Sequence, residues 1–287
     1  DNTWLDARDV IQTDNNYREA KINWELTEKL MQEKIPALHK KLNLIISQGF
    51  IGGTSENFTT TLGREGSDFT AAIFSYCLNA SEMVVWKDVP GVLSADPKYS
   101  DEAVKLDEIS YHDAIELAYY GASVIHPKTI KPLENKNIPL YVKSFLQPQG
   151  KGTVVGKDLT TKPQVPSFIF KSDQVLVSLA AKDFAFIAED NLSSIFATFA
   201  ACGVKMNLMQ NSALTFSVCL DDVKGKIYQI LTRLMESFNV KYYRKLVLLT
   251  FRYYAQQPRF IDQWIEGRSV LVEQRSRNTA QYVISKN

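Results

Sequence analysis

The chain has 287 residues, of which 45% are hydrophobic and 23% are charged, and its formal net charge is +1. That length predicts about two domains, and the composition is typical of a soluble globular protein. The balanced charge gives no reason to expect a nucleic-acid partner or an anionic membrane. No apolar run approaches the ~18 residues of a membrane span, and no charged-then-apolar leader opens the sequence. We therefore expect a cytoplasmic protein.

The three cysteines, Cys77, Cys202 and Cys219, lie in apolar runs without the spacing of a metal site. This arrangement predicts buried free thiols in a reducing compartment. The sequence contains no cluster of ligands from which we would predict a metal site.

Patterns of helix, strand and loop alternate from about residue 20 to residue 145. The stretch before them, residues 1–20, is polar and irregular, and its Asp14-Asn15-Asn16 predicts a loop. Hydrophobic periodicity, capping residues and short β-branched runs predict the elements. The helices are Ala20–Leu42, Phe69–Leu78, Tyr111–Gly121 and one that starts at His126-Pro127; the strands are Leu42–Ser47, Met83–Lys87 and Pro139–Lys143. This alternation predicts a mostly parallel sheet with helices on its faces.

Two glycine-bearing stretches follow the first predicted strand. The first, Gln48–Gly53, predicts a loop at the carboxyl end of that strand, where α/β sheets bind ligands. The second, Thr59–Asp68, precedes a predicted helix that Ser67 or Asp68 could cap. A turn of this kind exposes backbone N–H groups to an anion, and Arg64 adds a planar fork suited to a carboxylate or phosphate. An ordinary α/β turn explains the same residues, so the local pattern leaves both interpretations open.

The second half of the chain begins after a polar, turn-rich stretch at Gln147–Gly152, which predicts a boundary. The order strand, helix, strand, strand, helix, strand then predicts a ferredoxin-like plan. Its elements are Phe168–Phe170 and Val175–Leu179 (strands), Asn191–Cys202 (helix), Met206–Gln210 and Leu214–Leu220 (strands) and Gly225–Phe238 (helix). A shortened β-rich unit follows, with elements at Tyr242–Tyr254 (strand), Pro258–Ile265 (helix), Ser269–Glu273 and Ala280–Ser285 (strands).

Several blocks in order and at matching spacing resemble aspartokinase. They are DARDVIQT (Asp6–Thr13), QGFIG (Gln48–Gly52), TTTLGREGSDFTAA (Thr59–Ala72), WKDVPGVLSADPK (Trp86–Lys98) and GASVIHPKT (Gly121–Thr129). The resemblance is close over about residues 4–156, and the tail more loosely resembles the paired ACT regulatory modules of that family. It implies an α/β fold, with an incomplete three-layer amino-acid-kinase-like domain followed by two ferredoxin-like (βαββαβ) ACT modules. The implied limits are 1–155 for the catalytic part, 156–240 for the first module and 241–287 for the second.

The resemblance implies transfer of the ATP γ-phosphoryl group to the β-carboxylate of L-aspartate, the first step toward lysine, threonine and methionine. Protein groups in such a transfer mostly position substrates and neutralise charge, and Mg²⁺ accompanies the ATP. By this resemblance Arg64 clamps the aspartate carboxylate, with Gly66 and Ser67 as donors at the helix start. Asp68 orients the substrate amine or a lysine of the transfer site, and a plain helix cap is the alternative role for this carboxylate.

The same resemblance assigns a nucleotide site. Asp88 matches the family's nucleotide-binding aspartate, and Asp96 and Lys98 lie in the matching loop. Four positions depart from the common family pattern: Lys87 replaces a threonine, Leu93 a tyrosine, Lys98 an arginine and Ser123 a lysine. A lysine keeps the charge of an arginine and loses its fork, so these departures put individual nucleotide contacts in doubt. His126 is interpreted as structural at a helix start, because this chemistry needs no histidine.

Two family blocks are missing from these 287 residues: a Lys-Phe-Gly-Gly-Thr-Ser block, whose lysine bridges the transferring phosphate, and a Ser-x-Gly-Glu block that binds aspartate. Gly52-Gly53-Thr54-Ser55 imitates the first block without its lysine and stands in the wrong place. The resemblance is therefore to an aspartokinase whose N-terminal part is absent. A transferring phosphate without its principal cation is poorly stabilised, which predicts that this polypeptide alone is inactive or nearly so.

The tail implies regulation by an end-product amino acid bound between two copies, and hence a homodimer. The predicted effector strip is Met206–Ser212, with Asn207, Asn211 and Ser212 as contacts, facing the loop Phe186–Leu192. Asn207 stands where an aspartate of the family would contact a lysine ammonium, which weakens the case for lysine. Modules that serve only for dimerisation are the alternative.

Two other functions remain open at this point. A non-catalytic amino-acid sensor would combine a vestigial kinase half with working ACT modules. Another amino-acid kinase fits the fold but does not explain the blocks Thr59–Ala72 and Trp86–Lys98 together with an ACT tail.

Overall fold

The computed structural model describes residues 2–40, 44–122, 124–183, 185–256 and 259–285. The chain divides into two units: Asp1–Leu93 with Val104–Gln164, and Ser94–Ala103 with Val165–Asn287. The short segment Ser94–Ala103 thus belongs to the second unit, although the residues on both sides of it in the sequence belong to the first. The predicted domain limits after residues 155 and 240 stay predictions. Among the described residues, no helix is both long enough and apolar enough to cross a membrane.

The helices of the first unit follow the predicted order. They are α1 (Trp24–His39), α2 (Gly66–Cys77), α3 (Tyr111–Tyr120) and α4 (Pro127–Lys136). The side chain of Asn23 caps α1 by accepting a hydrogen bond from the Leu26 N–H, so this helix begins later than the predicted Ala20. Ser110 caps α3 by accepting from the Asp113 N–H, and Gly121 ends that helix at φ 120°, as predicted.

The strands of the first unit form three separate sheets. The strands are β1 (Asn2–Leu5), β2 (Leu44–Ser47), β3 (Ile51–Gly53), β4 (Thr59–Thr61), β5 (Met83–Lys87), β6 (Glu108–Ser110), β7 (Leu140–Ser144) and β8 (Thr153–Gly156). Strands β1 and β2 pair in parallel, β3 and β4 pair antiparallel, and the others form a sheet of order β5-β7-β8-β6. The prediction of one mostly parallel sheet is right for β1-β2, β5-β7 and β6-β8, but β3-β4 and β7-β8 are antiparallel.

One strand lies where none was predicted, and one predicted loop contains a strand. The polar stretch 1–20 includes β1, which pairs with β2. The glycines of Gln48–Gly53 do not mark a loop throughout, because Gly52 and Gly53 lie in β3. A Cβ on Gly53 would approach the Arg8 carbonyl oxygen to 2.8 Å, and one on Gly52 would approach the Ile11 carbonyl oxygen to 3.0 Å. Glycine is required at these positions for close backbone approach within a strand.

The core of the first unit lies between β1-β2 and the helices α1 and α2. Leu5 and Ile11 pack there with Met31, Phe69 and Ile73. The opposite face of the β1-β2 pair is apolar and exposed, and carries Trp4, Leu44 and Ile46. Parallel strands are ordinarily covered on both faces, so this pair leaves apolar surface uncovered in the described part of the chain.

The second unit is built around one six-stranded sheet. Its elements are β9 (Ser167–Ala181), α5 (Glu189–Ala201), β10 (Met206–Asn211), β11 (Thr215–Asp221), α6 (Lys226–Ser237), β12 (Phe238–Arg252), α7 (Arg259–Ile265), β13 (Val270–Arg275) and β14 (Thr279–Ser285). The sheet order is β10-β11-β9-β12-β14-β13. The predicted succession β-α-β-β-α-β is therefore present from β9 to β12.

The strands β9 and β12 each take part in both halves of this sheet. The two strands predicted at Phe168–Phe170 and Val175–Leu179 are one strand, β9, and its first half pairs with the second half of β12. Asp173 in β9 and Lys245 in β12 have φ near +54° and +58°, and the β9-β12 register shifts next to Lys245. The first half of β9 thus completes the second, shortened half of the sheet.

Each half of the sheet packs its helices against one face. On the opposite face, side chains of the two halves pack against each other. Helices α5 and α6 cover a core that includes Val177, Val218 and Phe199. On the opposite face, side chains from both halves form one buried cluster: Leu176, Leu208, Cys219, Leu246, Leu248, Val272 and Val283. Alternation of the strand residues between the two faces produces this division.

The three cysteines are free thiols, as predicted; Cys77 and Cys219 are buried, whereas Cys202 is only partly buried. Burial raises the pKa of Cys77 to about 12 and that of Cys219 to about 12. These two thiols therefore stay protonated at neutral pH and behave as small apolar side chains.

One ion pair ties the start of the chain to β4. The Asp6 carboxylate accepts from the Arg8 guanidinium and from Gln48 Nε2, and Arg8 Nη1 donates to Thr59 Oγ1 at 3.1 Å. Hydrogen bonds from Arg8, in the first place, lower the pKa of Asp6 from 3.8 to about 2. A lowered folded-state pKa stabilises the protein above the unfolded pKa, and this contribution is lost as pH falls from about 4 to about 2.

We expect the substitution Arg8→Ala to move the pKa of Asp6 back toward 3.8, because it removes the largest cause of the shift. NMR titration of the Asp6 carboxyl carbon measures this directly. Since both side chains are partly exposed, the accompanying loss of stability should be small. An Asp6 pKa that stays near 2 in the variant would contradict this account of the cluster.

Candidate functional site

The turn between β4 and α2 is held in left-handed backbone conformations. Gly63 has φ 75° and Glu65 has φ 55°. Glu65 is the N-cap residue of α2, and its side chain makes no capping hydrogen bond. The prediction that Ser67 or Asp68 caps this helix is therefore wrong: the helix begins at Gly66, which places both residues in its first turn. The helix start thus lacks a side-chain cap. The Gly66 N–H donates to the Gly63 carbonyl at 3.1 Å, and the N–H groups that follow it can serve a ligand.

Close packing against Phe50 fixes the start of α2. A Cβ on Gly66 would come within 2.5 Å of the Phe50 ring. Thr70 Oγ1 donates to the Gly66 carbonyl and accepts from the Phe50 N–H, and the Leu62 N–H donates to the Phe50 carbonyl. The second block of the aspartokinase resemblance, which contains Phe50, therefore acts as the support of the third.

A lysine that the sequence analysis missed also supports this turn. Lys128 Nζ donates to the Leu62 carbonyl at 2.8 Å and lies 4.8 Å from the centre of the Phe69 ring. Lys128 is held at the start of α4, where His126 Nδ1 accepts from the Lys128 N–H as the N-cap. The structural interpretation of His126 is thus supported by this hydrogen bond. The pattern His-Pro-Lys could have predicted the helix cap, but not the hydrogen bond from Lys128 to the Leu62 carbonyl.

The predicted substrate residues converge on the start of α2. Gly66 is buried against its support, whereas Arg64 and Ser67 are exposed. Among the residues that the structure describes, none forms an ion pair or hydrogen bond with the Arg64 side chain. Ser67 lines a cavity of about 490 Å³ together with Gln48 and Gly49 at the end of β2. An exposed guanidinium beside uncapped helical N–H groups can hold a carboxylate.

Asp68 and Lys87 form an ion pair that joins α2 to the end of β5. Lys87 Nζ lies 2.6 Å from Asp68 Oδ2, and the two side chains are 26% and 18% exposed. Neither residue was predicted to pair with the other, although Asp68 was expected to orient a lysine. The pair places a cation and a carboxylate between the predicted substrate turn and the predicted nucleotide residue Asp88, which is exposed directly after β5.

The other predicted nucleotide residues are divided between the two units. Leu93 forms an isolated bridge with Lys105 in the first unit. Asp96 and Lys98 are exposed in the segment Ser94–Ala103, which belongs to the second unit. Asp96 Oδ1 accepts from the Lys98 N–H at 2.9 Å and so closes a tight turn. Ser123 lies outside the described residues.

Aromatic and apolar contacts hold the segment Ser94–Ala103 on the second unit. Tyr99 stacks on Phe170, with ring centres 4.1 Å apart, and Ala95 packs in the same cluster as Phe168. The Phe168 N–H donates to the Ser94 carbonyl. A segment from the nucleotide block of the sequence is therefore packed against β9, which the sequence pattern did not indicate.

The predicted effector residues lie on β10 and just after it. Ser212 Oγ lies 2.7 Å from Thr215 Oγ1 within a tight turn, and Asn211 is exposed. The Ile187 N–H donates to the Ala213 carbonyl, which brings the loop Phe186–Leu192 to the end of this strip as expected. Asn207 lies at the other end, in a cluster that the sequence analysis missed.

We call Lys171, Gln174, Asn207 and Asp221 the polar cluster. Asn207 Oδ1 accepts from Lys171 Nζ at 2.8 Å, and Asn207 Nδ2 donates to Gln174 Oε1 and Asp221 Oδ1. Gln174 is buried, and its Nε2 also donates to Asp221. Burial tends to raise the pKa of Asp221, but the hydrogen bonds from Gln174 and Lys171 and the lysine charge outweigh it, so the pKa is lowered. Asp221 is therefore ionised at neutral pH.

One group of described residues has distances that would allow a metal ion: His112, Asp113 and Glu116 on α3. Asp113 Oδ2 already accepts from Thr161 Oγ1 at 2.6 Å, and His112 is largely exposed. Acidic groups near a helix start are common without a metal. We therefore assign no metal to this group.

We expect the Asp68–Lys87 pair to contribute more stability than an exposed pair. Exposed pairs contribute about 0.2–1 kcal/mol, whereas breaking a buried pair costs about 3–5 kcal/mol. For this partly buried pair, a double-mutant cycle with Asp68→Asn and Lys87→Met should give a coupling of about 1–3 kcal/mol in urea unfolding. The matched control is Lys162–Glu108, whose side chains are 60% and 33% exposed. Equal coupling in both cycles would show that burial of the first pair has no effect.

The chain is similar to known proteins in sequence and in structure. Residues 5–144 match the model of the amino acid kinase family. The chain is 33% identical over 219 residues to the lysine-sensitive aspartokinase 3 of Escherichia coli, covering 76% of this chain and 48% of that protein. It is also 33% identical over 228 residues to the chloroplastic bifunctional aspartokinase/homoserine dehydrogenase 1 of Arabidopsis thaliana, covering 76% of this chain and 24% of that protein. The chain thus spans about half or less of these relatives.

The solved structures give the same relationship. E. coli aspartokinase III in complex with aspartate and ADP superposes with a TM-score of 0.84 at 26% identity, over 99% of this chain and 66% of that one. The same enzyme in complex with lysine and aspartate gives a TM-score of 0.75. An amino-acid-kinase-like domain followed by ACT-type regulatory modules is the fold that these neighbours share with it. Residues 5–144 thus belong to the amino acid kinase family, and the chain as a whole is similar to the aspartokinases.

Proposed function

We propose that this chain is the acceptor-binding and regulatory part of an aspartate kinase. In the complete protein, the γ-phosphoryl group of ATP passes to the β-carboxylate of L-aspartate. The observation that carries this proposal is the exposed Arg64 at the start of α2, which has no side-chain cap. The same helix turn carries Asp68, whose Oδ2 lies 2.6 Å from Lys87 Nζ. This arrangement occurs in a chain whose relatives include an aspartokinase solved with aspartate and ADP.

The acceptor side of the reaction is assigned to the turn. Arg64 binds a carboxylate of aspartate in a bidentate manner, and the N–H group of Ser67 donates to the same anion. The Gly66 N–H, the second predicted donor, already donates to the Gly63 carbonyl at 3.1 Å. Asp68 forms the ion pair with Lys87 and holds that ammonium toward the acceptor. Phosphoryl transfer depends mainly on such positioning and on neutralisation of charge, so these residues contribute to orienting the acceptor without forming a covalent bond to it.

The nucleotide side is assigned to residues at the end of β5 and in the loop that follows. They are Lys87, Asp88, Leu93, Asp96, Lys98 and Ser123, of which Ser123 lies outside the described residues. Mg²⁺, when bound, would supply positive charge that neutralises the ATP phosphates. Asp88 in the first unit and Asp96 in the second each carry an exposed carboxylate, and Mg²⁺ prefers oxygen ligands of this kind. Lys98 adds a positive charge for the phosphates.

The second unit is assigned to regulation. Its β-α-β-β-α-β order and its six-stranded sheet support ACT-type modules with proposed limits 156–240 and 241–287, after a catalytic part at 1–155. We propose that an end-product amino acid binds at Met206–Ser212 and that a homodimer forms through these modules. The segment Ser94–Ala103, which contains the predicted nucleotide residues Asp96 and Lys98, packs on β9 within this unit.

We expect Arg64→Lys to weaken aspartate binding selectively, because lysine keeps the charge and loses the fork. Hydrogen bonds to charged groups contribute about 1.5–3 kcal/mol, so KM for aspartate should rise roughly 10- to 100-fold. Steady-state kinetics on a polypeptide that includes the remaining length of the relatives measure this. KM for ATP should stay unchanged, and Arg233→Lys, on the exposed face of α6, serves as the control. An unchanged KM for aspartate would exclude Arg64 as the clamp.

We expect the 287-residue polypeptide by itself to show little or no turnover, because it lacks the lysine block that the family uses to bridge the transferring phosphate. An ATP- and aspartate-dependent hydroxamate assay compares it with the longer polypeptide at equal concentration. Comparable rates from the two would show that Lys87 or another group of this chain supplies the missing charge.

A further inference from the structure

We propose that a cavity between three helices of the first unit is a binding site for a small aromatic carboxylate. The cavity lies between α1, α2 and α4 and has a volume of about 330 Å³. None of the described residues assigned above to aspartate or to the nucleotide lines it, so it is separate from the proposed kinase site. Its aromatic lining comes from α1 and α2 and its polar lining from α4: Trp24, Phe69 and Tyr76, then Lys128, Lys131 and Asn135.

Three aromatic rings form the apolar wall of the cavity. The Trp24 ring meets the Phe69 ring at 74° with the ring centres 6.3 Å apart, and it meets the Tyr76 ring at 69° with the centres 5.1 Å apart. Rings in such edge-to-face arrangements contact a further aromatic ring favourably. A cavity of roughly 150 Å³ holds one benzene ring, so the larger volume here accommodates a ligand with one or two rings.

The positive charge on the α4 side favours an anion. Lys131 is exposed at the cavity, and no residue in the described part of the chain forms an ion pair or hydrogen bond with its side chain. Lys128 Nζ lies 4.8 Å from the centre of the Phe69 ring and adds a second positive charge, although it also donates to the Leu62 carbonyl. A carboxylate in the cavity is therefore attracted by two ammonium groups.

The carboxylates of the same three helices do not offset this charge inside the cavity, since no described lining residue is acidic. Glu28 Oε1 lies 2.8 Å from Lys136 Nζ, and Asp68 Oδ2 lies 2.6 Å from Lys87 Nζ. The remaining acids of these helices are exposed and lie outside the lining: Glu25, Glu33 and Glu134. A ligand that carries an amine is therefore repelled by the two lining lysines, and the site favours an acid without an amino group.

Further polar groups of the lining are available to the ligand. No described residue forms a hydrogen bond with the indole N–H of Trp24, the hydroxyl of Tyr76 or the side-chain amide of Asn135. Each of these groups can donate to an oxygen of the ligand. Small-molecule sites commonly combine a mostly apolar cavity of about 300–1,000 Å³ with a few polar groups that fix the orientation of the ligand, and this cavity has both properties.

Calorimetry with a matched series of ligands tests the site on the 287-residue polypeptide. Indole-3-acetate carries two rings and a carboxylate, indole-3-acetamide lacks the charge, and tryptamine carries an amine instead. We expect Kd for indole-3-acetate to be about 3- to 10-fold lower than Kd for the amide, and tryptamine to bind more weakly than the amide. Equal affinity for all three, or no heat with indole-3-acetate, would overturn the proposal.

Substitution of Lys131 tests the origin of the charge preference. Lys131→Gln removes the cation and should raise Kd for indole-3-acetate about 3- to 10-fold without changing Kd for the amide, whereas Lys131→Arg should keep the wild-type preference. The matched control is Lys29→Gln, because Lys29 is an exposed lysine of α1 outside the lining. An unchanged Kd for indole-3-acetate in Lys131→Gln, or an equal loss in the control, would exclude Lys131 as the partner of the carboxylate.

NMR spectroscopy locates the bound indole-3-acetate. The chain has four tryptophans, and Trp24→Phe assigns the indole N–H signal of Trp24. We expect the ligand to shift this signal and to show nuclear Overhauser contacts with the Tyr76 ring, while the indole signals of Trp4 and Trp264 stay in place. Shifts confined to the other tryptophans would overturn the location. Failure of the proposed kinase function would appear separately, in the hydroxamate assay of the longer polypeptide.

Discussion

The close approach of Phe50 to Gly66 is the constraint on which the candidate site depends. A side chain at position 66 would overlap the Phe50 ring, so α2 can begin there only with glycine. The hydrogen bonds of Thr70 and Leu62 to the Phe50 backbone then fix the direction of the helix start. Because protein interiors are close-packed, the start of α2 can move little relative to Phe50. The orientation of the Arg64 backbone therefore follows from a contact between two separate blocks of the sequence, Gln48–Gly52 and Thr59–Ala72.

The sequence predicted the elements of the first unit better than their pairing. Helical spacing located α1 and α2, and the cap at Ser110 located α3, because these signals are local. Sheet pairing depends on contacts between distant residues, and nothing in Ile51–Gly53 distinguishes a glycine strand from a glycine loop without knowledge of the Arg8 and Ile11 carbonyls. The same limit applied to the helix start, where a left-handed Glu65 replaced the expected side-chain cap.

In the second unit, the polar residues of β9 were misleading for a physical reason. Lys171 and Gln174 interrupt the apolar pattern, which normally marks a strand end, but their side chains bond to Asn207 and Asp221. The network satisfies groups that would otherwise be costly to bury, so the strand continues through its bend. The candidate residues of the site were predicted from motifs, whereas Lys128 and the polar cluster required the folded chain, because their partners are far apart in sequence.

Three lysines of this chain and Arg64 differ in what their side chains contact. Lys87, Lys128 and Lys171 each point a compact charge at oxygens of the protein: the Asp68 carboxylate, the Leu62 carbonyl and the polar cluster. A lysine can satisfy such oxygens with freely rotating donors on a flexible stem. Arg64 carries a rigid fork that none of the described residues engages, and a rigid fork loses less conformational freedom when it binds a planar carboxylate. These three lysines thus stabilise contacts within the units, whereas the Arg64 guanidinium is available to a ligand.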